Sequence, residues 1–408
     1  MEPTETLAAP PRRSNALIAL FSARALRDFG DGFVAVLLPS YLIRLGFSTA
    51  AIGILAGVAL LGSATLALGA GFLGGRFDYR RLLLASAFLM AATGSALAAF
   101  DAYAVLLAIA FIGTVNPSGG SASAIVPIEH AVVAREANAA DRTRAFARYS
   151  LVGALAGSVG ALASGAPDLL KWTGLSELGA MRAMFALYAV LGLGGALFYA
   201  RVPARPPVAA EKGAAALGLS RGIVYRLAAL FSLDAFAGGF VVQSLLALWL
   251  FQKFDLSLAA AGVFFFLSGI LSAFSFPVAA RLADRFGLIN TMVFTHIPSS
   301  LCLIGAAFAS SLNVTLALLL IRAALSQMDV PTRSSYVMAV VTEPERPAAA
   351  SFTSVPRSLA ASLSPGLAGA LFAAGGGAAP LVLCGALKIA YDLLLLRQFR
   401  ALKAPEEG

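Results

Sequence analysis

The chain has 408 residues, of which 59% are hydrophobic and only 12% charged. Soluble domains carry about 25% charged residues, so this composition excludes a soluble catalytic or nucleic-acid-binding domain and marks a polytopic helical protein of the lipid bilayer. The net charge of +9 sits in short loops, Cys302 and Cys384 lie inside apolar runs with no metal-ligand spacing, and the mean hydropathy is +0.84.

The first fifteen residues are polar and proline-containing, and no cleavable signal peptide is evident. Twelve spans follow, at about 17–45, 48–73, 81–100, 103–134, 143–166, 181–201, 222–252, 257–281, 291–310, 314–341, 348–373 and 380–400. The first is unusual because it carries Arg24, Arg27, Asp28 and Asp31. The apolar stretch after them is too short to cross a bilayer alone, which takes ~20 residues, so the charges must enter the membrane with their helix. Their i, i+3, i+4, i+7 spacing puts all four on one face. Each costs roughly 2.5–3.5 kcal/mol near mid-bilayer, so the stripe must face protein or water and pair. The expected pairs are Arg24 with Asp28 and Arg27 with Asp31, both at i, i+4. Such a stripe needs a polar interior, which suggests a solute pathway.

Lys and Arg set the orientation. Only Arg44, Lys171, Arg182 and Lys253 fall on one side, and the remaining loop cations fall on the other, so both termini are expected in the cytoplasm. The predicted organisation is a tail at 1–15, a six-helix half at 16–201, a Pro/Ala/Gly-rich linker at 202–221, a second six-helix half at 222–400 and a tail at 401–408. The halves repeat. Pro127-Ile128-Glu129 aligns with Pro331-Thr332-Arg333, and without a gap Asp141-Arg142 then falls on Glu345-Arg346. Gly32-Phe33 matches Gly239-Phe240, which sets Arg27 opposite Asp234. The fold class expected is therefore all-α, with twelve transmembrane helices in two pseudo-symmetric halves and a substrate site where they meet.

The stretch Gly71 to Arg81 and its second-half counterpart from Ala280 to Ile289 carry a recognisable loop pattern. Gly71, Leu73, Arg76, Arg80 and Arg81 fit it in the first copy, and Leu282, Ala283, Asp284, Arg285 and Gly287 in the second. On these residues the chain resembles the major facilitator superfamily over nearly its whole length. The resemblance implies a transporter, and a gate latch formed by these loops on the cytoplasmic side. Gly75 stands at the signature aspartate position, with Asp78 as a possible substitute. Span five reads Gly153-x-x-x-Gly157-x-x-Gly160 and resembles the family's antiporter motif, with Ser158 in place of its proline. Small residues at this spacing also simply permit close helix packing.

Ionisable residues inside spans are functional candidates. The proton-coupling candidates are Asp28, Asp31, Glu129, Asp234 and Asp329. The substrate-cavity candidates are Arg24, Arg27, Asn116, His130, Gln243, Arg333, Tyr336 and Arg357. Glu129 is expected to pair with Arg24, Arg27 or Arg148. Asp329 and Arg333 are i, i+4, and so are Lys388 and Asp392, the latter expected as a structural pair in a peripheral span. His296 is expected to be merely hydrogen-bonded. Asn116-Pro117 and Gly119-Gly120 should bend span four and expose carbonyls.

The reading that follows is a secondary active transporter of a small organic solute, with proton-coupled efflux by antiport ahead of proton-coupled uptake of an organic anion or other small solute. It is expected to act as a monomer in a bacterial inner membrane, without cofactor. No Walker-type phosphate loop is present. An intramembrane enzyme would need a His-Glu-x-x-His pair or a serine elbow, and neither occurs. A transporter-like receptor that moves nothing is the remaining alternative.

Overall fold

In the computed structural model, residues 15–74, 77–119, 125–137, 142–204, 217–218, 220–342 and 345–399 are described. Their helices are α1 (Asn15–Arg44), α2 (Thr49–Gly74), α3 (Tyr79–Ala99), α4 (Tyr103–Ile112), α5 (Val126–Glu136), α6 (Arg142–Ala163), α7 (Ala166–Leu170), α8 (Glu177–Tyr199), α9 (Arg221–Gly239), α10 (Gln243–Phe254), α11 (Leu258–Phe286), α12 (Leu288–Phe308), α13 (Leu312–Ser326), α14 (Asp329–Val340), α15 (Arg346–Ala373) and α16 (Ala379–Phe399). They make twelve spans, because α4 with α5, α9 with α10 and α13 with α14 are each two pieces of one crossing and the five-residue α7 only extends the crossing of α6. Eight stretches are long and apolar enough to span a membrane on composition alone. The 30-residue α1 has the length, but its four charges remove it from that set. An even number of crossings puts the first and last helix ends on one face, called here the terminal face, and the other is the far face.

The breaks fall where the backbone cannot continue a helix. Pro127 lies in the first turn of α5, and Pro331 holds the equivalent place in α14, where a missing N–H costs nothing. Between α4 and α5, Asn116 precedes a proline and Gly119 takes φ +69°, a left-handed conformation that suits glycine. The chain between α9 and α10 turns at Phe240 directly after Gly238-Gly239.

One large apolar core joins the two halves. It runs from Phe33, Leu37, Tyr41 and Ile52 across to Leu245, Leu248, Trp249 and Phe264. It lies toward the far face, where α1 ends and α2 and α11 begin. Toward the terminal face the core divides in two. One cluster, with Leu20, Leu83, Val132 and Tyr199, belongs wholly to the first half. The other, with Val224, Met292, Tyr336 and Leu395, belongs wholly to the second. The helices that meet across the seam are α2 with α15, α6 with α11 and α1 with α10, while α9 and α14 make no more than slight contact with α1 and α5. Among the described residues the seam is thus sealed on the far side, and on the terminal side the core is divided between the halves.

Small residues make the seal possible. A Cβ on Gly53 would strike the Pro365 carbonyl, one on Gly369 would come within 2.5 Å of the Thr49 carbonyl, and one on Gly262 would lie 2.9 Å from the Ala161 carbonyl. The span-five glycines act inside the first half. A side chain on Gly160 would collide with the Phe29 carbonyl, and one on Gly32 with the Gly157 carbonyl. Gly153 leaves the room that the Arg24 and Asp28 side chains fill. Gly153 and Gly160 of this motif therefore have a packing role.

The gate-loop residues are only partly assembled. Arg76 lies outside the described residues. Asp78 caps α3 by accepting from the Arg80 amide at 3.3 Å. Asp284 and Arg285 are exposed and form no ion pair among the described residues, and neither does Arg81. The expected linker lies largely outside the described residues. Its end is held by Glu345, whose carboxylate accepts from the amides of Gly218 and Ser220 and, at 2.7 Å, from the Thr342 hydroxyl. These hydrogen bonds hold the Glu345 carboxyl down at about 2.

Two outcomes follow. Gly160→Ala should lower the melting temperature of the purified protein, as overpacking costs about 1–3 kcal/mol, while Gly195→Ala, whose Cβ meets nothing, should leave it unchanged or raised. A carboxyl depressed in the fold contributes stability above its unfolded value, roughly pH 4, and loses it as pH falls toward 2. Amide-exchange protection at Gly218 and Ser220 should therefore hold at pH 5, fall below pH 4, and be lost at all pH values in Glu345→Gln.

Candidate functional site

The charge stripe of α1 is buried, with Arg24, Arg27, Asp28 and Asp31 all 6% exposed or less. Arg24 reaches Asp28 at 3.1 Å, as its i, i+4 spacing allows. Arg27 does not turn to Asp31. It bonds Asp28 at 3.1 Å and Glu129 of α5 at 2.8 Å, and Arg24 stands 3.5 Å from the same Glu129 oxygen. The tyrosines Tyr149 of α6 and Tyr199 of α8 each donate to Glu129 at 2.7 Å. Tyr149 also accepts from Arg24, whose guanidinium lies 3.8 Å over its ring. Glu129 thus ties three other helices to α5. Arg148, exposed on α6, takes no part. His130 packs edge-on against Phe146 and Tyr149, with ring centroids 5.2 and 4.9 Å away.

Asp31 is different. It lies about halfway along α1, is 1% exposed, and has no basic group within ion-pair distance among the described residues. Its single hydrogen bond among the described residues comes from Tyr188 of α8 at 2.9 Å, and that hydroxyl also lies 3.0 Å from Thr114 at the span-four break.

The second half builds a matching cluster with reversed signs. Arg333 of α14 bonds Asp234 of α9 at 3.2 Å and Asp329 at 2.9 Å. By the repeat, Asp234 stands at the Arg27 position and Arg333 at the Glu129 position, so the acid–base pair is conserved in place and inverted in sign. Lys388 does not pair with Asp392. It reaches Asp234 at 2.6 Å, and Asp392 instead meets His296 Nδ1 at 3.1 Å. The other His296 nitrogen is 3.3 Å from Lys388, so His296 links the α16 carboxyl to the α9 cluster. Arg357 of α15 lies in range of Arg333, Asp234 and Asp329 but forms no ion pair. Tyr336 is fully buried, with its ring 6.1 Å from Phe399.

Asn116 and Gln243 come together elsewhere, at the seam. The Ser244 amide at the start of α10 donates to the Pro117 carbonyl at 3.0 Å, joining the span-four break to the span-seven break. Gln243 packs so closely on Gly119 that a Cβ there would strike its amide oxygen. Asn116 accepts from Ser118 at 3.0 Å and keeps a buried, unpartnered Nδ2.

The sequence reading missed Tyr149, Tyr188, Tyr199, Thr114 and the His296–Asp392 link. One signal was available for the tyrosines. A hydroxyl carried on an apolar helix needs a partner once buried, and the unmatched acids of other spans are the natural ones.

The fold matches that of known transporters. A bacterial homolog of the human lysosomal transporter Spinster, in its inward-facing occupied conformation, superposes with a TM-score of 0.78 at 16% identity, over 98% of this chain and all of that one. The nucleoside transporter NupG gives 0.72 at 14% identity over 95% and 99%. The human organic anion transporter MFSD10 (TETRAN) gives 0.67 at 17% identity over 95% and 100%. No curated relative matches at the level of sequence. The sequence profile of the Major Facilitator Superfamily matches residues 20–328 and 229–407. The chain belongs to the major facilitator superfamily, and is a multi-pass membrane transporter rather than an enzyme.

Proposed function

We propose that this transporter couples the movement of a small organic solute to protons, with Asp31 as the coupling carboxyl. The observation that carries the reading is the isolation of Asp31. Every other acid of the two clusters meets a cation or a histidine, and Asp31 meets only a tyrosine hydroxyl. An unmatched carboxylate inside the bilayer is costly, and a proton removes the charge. Asp28, Glu129, Asp234 and Asp329 are then fixed partners of their arginines.

The seam supports an alternating-access cycle. Every ion pair among the described residues joins two residues of the same half. Across the seam lie close-packed small residues and the Ser244–Pro117 hydrogen bond. Rocking the halves therefore breaks weak contacts and leaves the strong ones whole. The terminal face is the cytoplasmic one in this reading, the chain acts as a monomer, and its membrane is a bacterial inner membrane. Export was favoured in sequence by the span-five glycines and the loop latch. The glycines also serve packing, and Asp284 and Arg285 form no ion pair among the described residues, so the direction rests on the sign of the proton flux.

The test is a proteoliposome assay with an interior pH dye and a panel of organic solutes. Wild type should show solute-evoked proton movement, Asp31→Asn should show none while remaining folded, and Asp168→Asn, in the short helix α7 toward the far face, should behave as wild type. Labelled solute crossing equally in wild type and Asp31→Asn, with no proton signal in either, would sink the coupling role.

A further inference from the structure

When every ion pair among the described residues has been drawn, one charge is left over in each cluster. Arg24 and Arg27 are matched by Asp28 and Glu129, which leaves Asp31. Asp234 and Asp329 are matched by Lys388 and Arg333, and Asp392 is held by His296, which leaves Arg357. Arg357 stands eleven residues after the start of α15, ~16 Å along the helix and so near mid-membrane. Its Nε is buried without a partner, and it makes no hydrogen bond with any described residue. The strongest charge acting on it is the like charge of Arg333, and the two acids in range are already engaged. A second unpaired cation, Arg322 on α13, is no rival. The only titratable neighbour acting on it is Cys384 of α16, and no charge of the Arg333 cluster reaches it.

A guanidinium with a buried, unpartnered Nε and no acid at ion-pair distance among the described residues is an unstable arrangement until an anion joins it. We propose that Arg357, with Arg333 beside it, binds the oxyanion of the transported solute, a carboxylate or phosphoryl group. The guanidinium fork presents parallel N–H donors at the spacing of such oxygens, which an ammonium does not. Arg333 uses Nη1 for Asp234 and Asp329, and its guanidinium lies 5.6 Å over the Phe231 ring with Tyr391 in reach. The same pair repels cationic solutes. This deepens the proton-coupled reading and rests on it for the transport step. A proton on Asp31 and an anion on Arg357 leave neither cluster with an unmatched charge, so the loaded carrier crosses the bilayer at least electrostatic cost. Co-transport of an organic anion with a proton follows, rather than exchange of a cation for a proton.

The test is thermal unfolding of the full-length protein in detergent at matched ionic strength. The probes are benzoate, glutarate and glycerol phosphate, against benzamide, benzylamine and chloride. Without added anion, Arg357→Gln should melt at a higher temperature than wild type, having lost an unmatched charge. At least one oxyanion should raise the wild-type melting temperature, with no rise from the neutral or cationic analogues. Arg357→Gln should need about tenfold more of that anion or show no response, and Arg357→Lys should fall between. A less stable Arg357→Gln, an equal response in that variant, or no oxyanion effect on wild type would each overturn the assignment. Asp31→Asn separates the two proposals, because it should keep the anion shift while losing proton flux. Loss of the anion effect with flux intact removes this site and leaves coupling standing.

Discussion

A charge inside a bilayer has to meet its opposite, and this protein meets that demand separately in each half. Arg27 with Glu129 and Asp234 with Arg333 occupy equivalent places in the two repeats with exchanged signs. The exchange is possible because the repeat fixes geometry, and either polarity satisfies the same pair of positions. Around each pair the rest of the half is arranged. Tyrosines from α6 and α8 finish the first, and Lys388 and the His296–Asp392 link from α12 and α16 finish the second. A buried pair adds little net stability over apolar packing, but removing one partner strands the other, so these contacts fix which helices belong together.

Because each half is complete in itself, the surface between them can be weak. The far seam is built from glycine, alanine and serine on α2, α6, α11 and α15, where backbones approach too closely for larger side chains. Such an interface is broad and close-fitting but holds no ion pair among the described residues. The halves can then separate on one face and close on the other without desolvating or stranding a charge. The breaks in spans four and seven bring carbonyl and amide groups to the seam, where Pro117 and Ser244 use one pair to hold it shut.

Much of this was legible in the sequence. The membrane class, twelve spans and a two-half repeat follow from hydropathy, loop charge and the Pro127/Pro331 register, since each reflects a local or periodic constraint. The i, i+4 pair Arg24–Asp28 is likewise local. The partners that differ are tertiary. Arg27 bypasses Asp31 because Glu129, held by two tyrosines on other helices, already lies within its reach. Lys388 and Asp392 likewise turn apart because α9 and α12 each offer a closer partner. Spacing along one helix cannot reveal competitors on its neighbours. The isolation of Asp31 and Arg357, on which the functional reading depends, was invisible for the same reason, since a leftover charge appears only after all the others have been assigned.

The central claim is that buried charges cancel within each half, and a double-mutant cycle on Arg27 and Glu129 tests it most directly. Stability of the purified protein would be measured for Arg27→Met, Glu129→Gln and the combined variant. If the claim holds, each single change is strongly destabilising, about 3–5 kcal/mol, because it leaves its partner buried and unmatched. The combined variant should then be no worse than either single one. If instead the two effects simply add, the pair carries no coupling, and the account of self-balanced halves is wrong.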